Sequence, residues 1–134
     1  MTETELPDAE LDVMGCLWTR GPLTAREIRE ALSDRRPMHH ASVCTLLKRL
    51  EQKRFVAREK SGAGKSFRYR AVARRAGPAR RMLDKLLDRV FGGNGVALVA
   101  SLLETRTPTK EELDEMQKLL DETRQRQKSK RRPS

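Results

Sequence analysis

Aromatic side chains make up only 4% of this 134-residue chain, and cysteine occurs twice. One Trp, one Tyr and three Phe cannot supply a platform on which successive unpaired bases stack, which argues against single-strand binding. Cys16 and Cys44 both fall inside helical patterns and are too few for a disulfide framework, so reduced thiols are expected. No apolar run approaches the roughly 18 residues that a membrane-spanning helix needs. The acidic start lacks the basic and apolar regions of a signal peptide, so a cytoplasmic location is expected. No Ser/His/Asp set and no paired carboxylates converge in the sequence, so neither an enzyme nor a cofactor is expected.

Positive charge is abundant and unevenly placed. The net charge is +10, yet residues 1–34 carry 3 basic and 8 acidic side chains, and residues 81–123 carry 6 and 9. Residues 35–80 carry 14 basic and 2 acidic, and residues 124–134 carry 6 basic and none acidic. A chain that needed charge only for solubility would not segregate it in this way. The distribution points to a polyanionic partner for the middle of the chain.

Within that basic region, Val43, Leu46, Leu47 and Leu50 recur at i, i+3, i+4 and i+7, the single stripe of an amphipathic helix over His39–Arg54. Ala41, Thr45, Lys48 and Gln52 lie opposite the stripe, with Ser42, Cys44 and Arg49 on its flanks. The period then changes. Phe67, Tyr69 and Ala71 alternate with Arg68 and Arg70 as in a strand, and Ser61-Gly62-Ala63-Gly64 supplies a turn back to Phe55–Lys60.

Two helices precede this stretch. Val13, Met14, Leu17 and Trp18 mark a helix over Asp8–Arg20, with Leu6 placed to staple onto Leu11 and Gly21-Pro22 as its stop. Thr24 and Glu27 form a capping box for a second helix that runs to about Leu32 and buries Ala25, Ile28 and Leu32; Pro37 prevents its extension. Three helices followed by a basic hairpin give a helix-turn-helix with a wing, expected to span residues 1–76.

After a small basic hinge at Ala73–Gly77, Pro78 opens a helix bearing Met82, Leu83, Leu86, Leu87, Val90 and Phe91, which ends at Gly92-Gly93. Val96–Leu103 is apolar almost all round, so a buried helix is expected there. Thr109 and Glu112 form a second capping box, starting a helix with Leu113, Met116, Leu119 and Leu120 inward. A segment of about 45 residues rarely folds alone, so residues 77–123 are expected to form a dimerisation domain. Its expected contacts are Leu83, Leu87, Val90, Phe91, Leu98, Leu102, Leu113, Met116 and Leu120. The apolar-free tail 124–134 is expected to be disordered. The fold class is thus mostly α (α+β), a winged helix-turn-helix followed by a helical dimerisation domain.

Five motifs in order resemble the penicillinase-repressor family (BlaI/MecI/CopY type). They are Ala9-Glu10-Leu11-Asp12-Val13-Met14 with Leu17-Trp18; Leu23-Thr24-Ala25 with Glu27-Ile28; Ser42-Val43 with Thr45-Leu46-Leu47 and Arg49-Leu50; Lys65, Phe67 and Tyr69; and Glu111-Glu112-Leu113 with Glu115 and Leu119-Leu120. Together they cover roughly residues 6–122. The resemblance implies a homodimeric repressor that binds a palindromic operator in double-stranded DNA; that no membrane partner is expected rests on the lack of a long apolar run. It also implies an upstream sensor-protease that cuts the dimerisation region. The family's Asn-Phe cleavage bond is Ser101-Leu102 here, and the Cys-x-Cys pair of copper-responsive relatives has no counterpart after Cys44. A lysine near the start of the recognition helix is replaced by Ala41, and a proline after the wing tyrosine by Ala71.

The candidate DNA-contacting residues are His40, Ala41, Ser42, Thr45, Lys48 and Arg49 on the helix and Lys65, Arg68 and Arg70 in the wing. Arg and Lys discriminate guanine, while Ser and Thr bond either bases or phosphates. Three competing readings of these residues are weaker. Gly62-Ala63-Gly64-Lys65-Ser66 imitates the end of a phosphate-binding loop, but Glu59 stands where that loop needs glycine and a strand follows instead of a helix. His39 and His40 lack an acidic or thiol partner at ligand spacing, so no metal is expected. Cys44 reads as a small packed residue before it reads as a redox switch. The alternative function is a non-specific nucleoid- or RNA-binding basic protein, which would show steep salt dependence without sequence preference.

Overall fold

Pro7 caps the first helix at φ −56° and ψ 153°, and Asp8 and Glu10 place negative charge in its first turn, where the helix dipole favours it. This helix, α1 (Asp8–Arg20), ends where Gly21 takes φ 86° and donates its N–H to the Leu17 carbonyl at 2.9 Å. The protein is described here by a computed structural model that covers residues 6–60, 62 and 66–131. Among them the order continues as β1 (Leu23–Thr24), α2 (Ala25–Ala31), α3 (His40–Gln52), β2 (Val56–Lys60), β3 (Phe67–Ala71), α4 (Ala76–Arg89), α5 (Gly95–Thr105) and α6 (Lys110–Arg131). The chain divides into two compact units, Met1–Leu83 and Asp84–Ser134, with the division inside α4.

In the first unit, the capping box at α2 forms as the sequence predicts. Thr24 N–H donates to Glu27 Oε1 at 2.8 Å, and Glu27 N–H donates to Thr24 Oγ1 at 3.1 Å. The hydrogen bond from the Thr24 backbone holds the Glu27 carboxyl below its ordinary range, and Arg68 adds to the effect. The contribution of this box is therefore complete at neutral pH and fades as pH falls through the carboxylate range. Leu23 and Thr24 also pair with Tyr69 and Arg68, adding a strand that hydropathy did not reveal and giving an antiparallel sheet ordered β1-β3-β2. Two residues are too short for an alternating pattern to register.

Val13, Met14, Leu17, Ile28, Leu32, Val43, Leu46, Leu47, Leu50 and Val56 make the core, so the stripes on α1, α2 and α3 converge as their spacing requires. Trp18 packs against this core and donates its indole N–H to the Ala73 carbonyl at 2.8 Å, fastening the exit of the hairpin to α1. Arg36 reaches back to Asp12 at 2.8 Å and fixes the turn before α3.

One buried group was not foreseen. Glu10 is only 2% exposed, among apolar side chains, and its Oε1 lies 2.5 Å from Lys53 Nζ. A carboxylate in such a place requires a charged, hydrogen-bonded partner. The pair ties the first turn of α1 to the end of α3.

The second unit departs further from expectation. Asn94 caps α5 by accepting from Ala97 N–H at 3.0 Å, and Thr109 and Glu112 form the predicted box ahead of α6. Helix α5, expected to be buried against a second copy, has no buried residue in the single chain; Val96 is 81% exposed, and Leu102 and Val99 are exposed with it. Met82, Leu83, Leu86, Val90, Leu113, Leu119 and Leu120 are exposed as well, while Leu87, Phe91, Leu98 and Met116 are half-buried. Among the described residues of this unit nothing covers these side chains, because three short helices offer too little surface to enclose one another. Segment 124–131 is the end of α6, where disorder had been expected. No proline or glycine interrupts it, and cations near a helix C-terminus favour the helix.

Removing the partner of Glu10 tests the buried pair. Because Lys53 is one-third exposed, a Lys53→Met change is expected to cost about 2 kcal/mol, lowering Tm by roughly 10 °C in thermal unfolding. An unchanged Tm would show that the carboxylate needs no partner.

Candidate nucleic-acid interface

Helix α3 presents one face to the core and the other to solvent. Val43, Leu47 and Leu50 are fully buried, whereas His40, Ala41, Ser42, Cys44, Thr45, Lys48 and Arg49 are all exposed. His39 precedes the helix in an extended conformation and caps no N–H with its side chain. Ala41 and Ser42 occupy the first turn and the cations Lys48 and Arg49 the third, so a duplex groove could approach the helix start closely. The Thr45 hydroxyl donates to the Ala41 carbonyl at 3.0 Å, leaving its methyl and oxygen lone pairs for an outside partner.

The hairpin register decides which wing residues share a side with α3. Val56 pairs with Ala71, Arg58 with Tyr69 and Lys60 with Phe67, and residues directly opposite one another in an antiparallel pair point the same way. Val56 is buried and Tyr69 and Ala71 pack on the core, so Arg58 and Lys60 lie on the sheet face turned toward α3. Arg58 confirms this by pairing with Glu51 of α3 at 3.3 Å, and its guanidinium sits 4.4 Å over the Phe67 ring. Arg68 and Arg70 lie on the opposite face of the sheet, where Arg70 pairs with Glu59 at 3.5 Å and Glu59 stands in register with Arg68. Lys65 lies outside the described residues, as does most of the expected turn at Ser61–Gly64.

The structure thus brings His40, Ala41, Ser42, Thr45, Lys48 and Arg49 together on one surface and sets Arg68 and Arg70 apart from them. The sequence reading passed over Arg58 and Lys60. Their signal was present: they follow the buried Val56 at two-residue spacing, and strand alternation puts all three on one face.

Between the start of α2, the first turns of α3 and β3 lies an open cleft of about 390 Å³ lined by Thr24, Ala25, Arg26, His40, Cys44, Ser66, Phe67 and Tyr69. It contains no cluster suited to a metal; among the described residues no three His, Cys, Asp or Glu side chains converge. No helix of the described residues is long and apolar enough to cross a membrane. The two thiols differ in setting. Cys44 is exposed at the cleft, while Cys16 is half-buried and burial pushes its thiol up against the opposing pull of Arg20.

A three-helix core with its third helix facing outward, backed by a three-stranded sheet with a hairpin wing, defines a winged helix-turn-helix protein. Residues 6–122 match the penicillinase repressor family model, and the chain belongs to that family. The methicillin resistance regulatory protein MecI of Mammaliicoccus sciuri is 25% identical over 117 residues, which cover 87% of this chain and 94% of that protein. The transcriptional regulator BlaI of Mycobacterium tuberculosis is 35% identical over 103 residues, covering 75% of this chain and 73% of its own. Among solved structures, the DNA-binding domain of the repressor BlaI aligns with 57% of this chain and 92% of its own, at 26% identity and a TM-score of 0.48.

The exposure of the α3 face can be read chemically. Iodoacetamide near neutral pH is expected to alkylate Cys44 well before Cys16, because Cys44 is exposed whereas Cys16 is half-buried and burial pushes its thiol up. Peptide mapping over time measures both rates, and equal rates would mean that the outer face of α3 is covered.

Proposed function

We propose that this chain is a DNA-binding transcriptional repressor that recognises a palindromic operator as a homodimer. The observation that carries the reading is the outward face of α3, on which Ser42, Thr45, Lys48 and Arg49 stand exposed while the opposite stripe is locked in the core. Such a helix enters the major groove and offers its first turns to base edges. Membership of the penicillinase repressor family and the regulatory names of the relatives support the same conclusion. His40 and Ala41 at the helix start approach the groove most closely. Lys60 reaches phosphates beside the helix, Arg58 holds Glu51 of α3 in place behind it, and Arg68, Arg70 and Lys65 add positive potential from the rest of the wing.

The uncovered apolar surface supports dimerisation. Among the described residues, no side chain after Pro78 is buried, an arrangement that monomeric proteins rarely maintain. A second copy covering Leu83, Leu87, Val90, Phe91, Leu98, Leu102, Leu113, Met116 and Leu120 gives this half a core. A two-fold protein then reads a two-fold site, which is why the operator is palindromic. Release by a sensor-protease at Ser101-Leu102 would require α5 to open, since the bond lies within that helix and the Ser101 carbonyl accepts from the Thr105 hydroxyl at 2.8 Å.

Binding to promoter duplexes tests the groove reading. Lys48→Ala and Arg49→Ala should each lose about 1–3 kcal/mol of preference for operator over scrambled DNA. Lys60→Gln should weaken both equally and lower the salt slope by about 0.9. Equal affinity of the unaltered chain for operator and scrambled duplex would favour non-specific coating instead, since specific sites bind roughly 10³-fold tighter or more.

Association is tested separately. Leu102 is 57% exposed in the single chain, so Leu102→Asp should leave the fold of the first unit intact yet shift light scattering from dimer to monomer and weaken operator binding. A dimer that survives this change would remove α5 from the interface.

A further inference from the structure

The final two turns of α6 lie beyond the family match, which ends at residue 122. From Arg124 onward the chain carries six basic residues, no acidic residue and no apolar one. Five of these fall within α6, and four of them, Arg124, Arg126, Lys128 and Lys130, are exposed. Among the described residues none of these four is in an ion pair; Arg126 only donates to the Thr123 hydroxyl at 3.2 Å. Elsewhere the cations of this protein are often neutralised locally, as with Arg58 and Glu51, Arg70 and Glu59, or Lys53 and Glu10.

The placement of the four charges narrows the partner. At 3.6 residues per turn, Arg124 and Lys128 fall within about 40° of each other, and Arg126 and Lys130 form a like pair on the other flank. A helix cationic on both flanks, with no apolar face, is unsuited to lying in a membrane interface. With no aromatic residue after Phe91, it is also unsuited to stacking unpaired bases. A groove of duplex DNA has phosphates along both walls, and a rod about 12 Å long with cations on two sides matches it without reading any base.

We propose that segment 124–131 is a second DNA-contacting element, which binds duplex phosphates independently of sequence alongside the winged helix. The proposal deepens the repressor reading and rests on it. Phosphate binding at the end of α6 holds the chain on DNA of any sequence, while α3 selects the site.

The test neutralises Arg124, Arg126, Lys128 and Lys130 to Gln together in the full chain. Operator and scrambled duplexes are titrated by fluorescence anisotropy over a series of salt concentrations, with circular dichroism and light scattering as controls. Gln keeps helix propensity, so helicity and mass should not change. The expected result is a slope of log K against log salt that is shallower by about 1.8 or more on both duplexes, at about 0.9 per lost contact. The ratio of operator to scrambled affinity should stay the same. A companion variant exchanging Arg for Lys and Lys for Arg at the four positions should restore the slope, because the interaction needs charge and not a particular fork. Unchanged slopes, failed restoration, or a loss confined to the operator would each overturn the proposal. Failure of the unaltered chain to prefer its operator would sink the repressor reading, and the slope on any duplex would still decide this one.

Discussion

Burial of Val43, Leu46, Leu47 and Leu50 against α1 and α2 is the constraint from which the candidate interface follows. A helix has only one face to give to a core. Once these four side chains are excluded from water, Ala41, Ser42, Thr45, Lys48 and Arg49 have no direction left but outward. The hairpin inherits its position from the same core, because Val56 enters it and Tyr69 and Ala71 pack on its edge. The Glu10–Lys53 pair and the Trp18–Ala73 hydrogen bond then hold the two ends of the arrangement. Recognition surface and core are therefore opposite sides of one packing decision.

Charge acts at two levels in this unit. Individual pairs such as Asp12–Arg36 and Glu51–Arg58 set local geometry, and exposed ones contribute little to stability. The surplus over residues 35–80 creates the long-range field that attracts a polyanion. The pairing of Arg70 with Glu59 shows why counting cations overstates an interface: a guanidinium held by a carboxylate on the far face adds less field at α3 than Lys60 does on the near one.

The second half of the chain answers to a different constraint. Its helices are correctly capped and regular, yet their apolar side chains lie open because about 50 residues cannot enclose a core. Capping and propensity shape each helix by itself, and burial needs surface from elsewhere. In the proposed dimer that surface comes from an identical chain, which would couple folding of this half to association and association to operator binding.

Much was legible before any coordinates. The bounds of α1, the capping boxes at Thr24 and Thr109, the stripe of α3 and the strand Phe67–Ala71 are local matters of period, cap and turn chemistry, and a linear sequence carries them completely. Five residues of α3 could likewise be assigned to solvent from spacing alone. Tertiary structure decided the rest. It showed that Leu23–Thr24 completes a sheet, that Glu10 is buried with Lys53, that Arg58 and Lys60 share the side of α3 while Arg68 and Arg70 do not, and that α5 stays open in a single chain. These depend on pairing register, on partners up to 46 positions apart and on how much surface is present to cover a helix. Spacing along a chain states which side chains share a face, and only the folded chain states what that face meets.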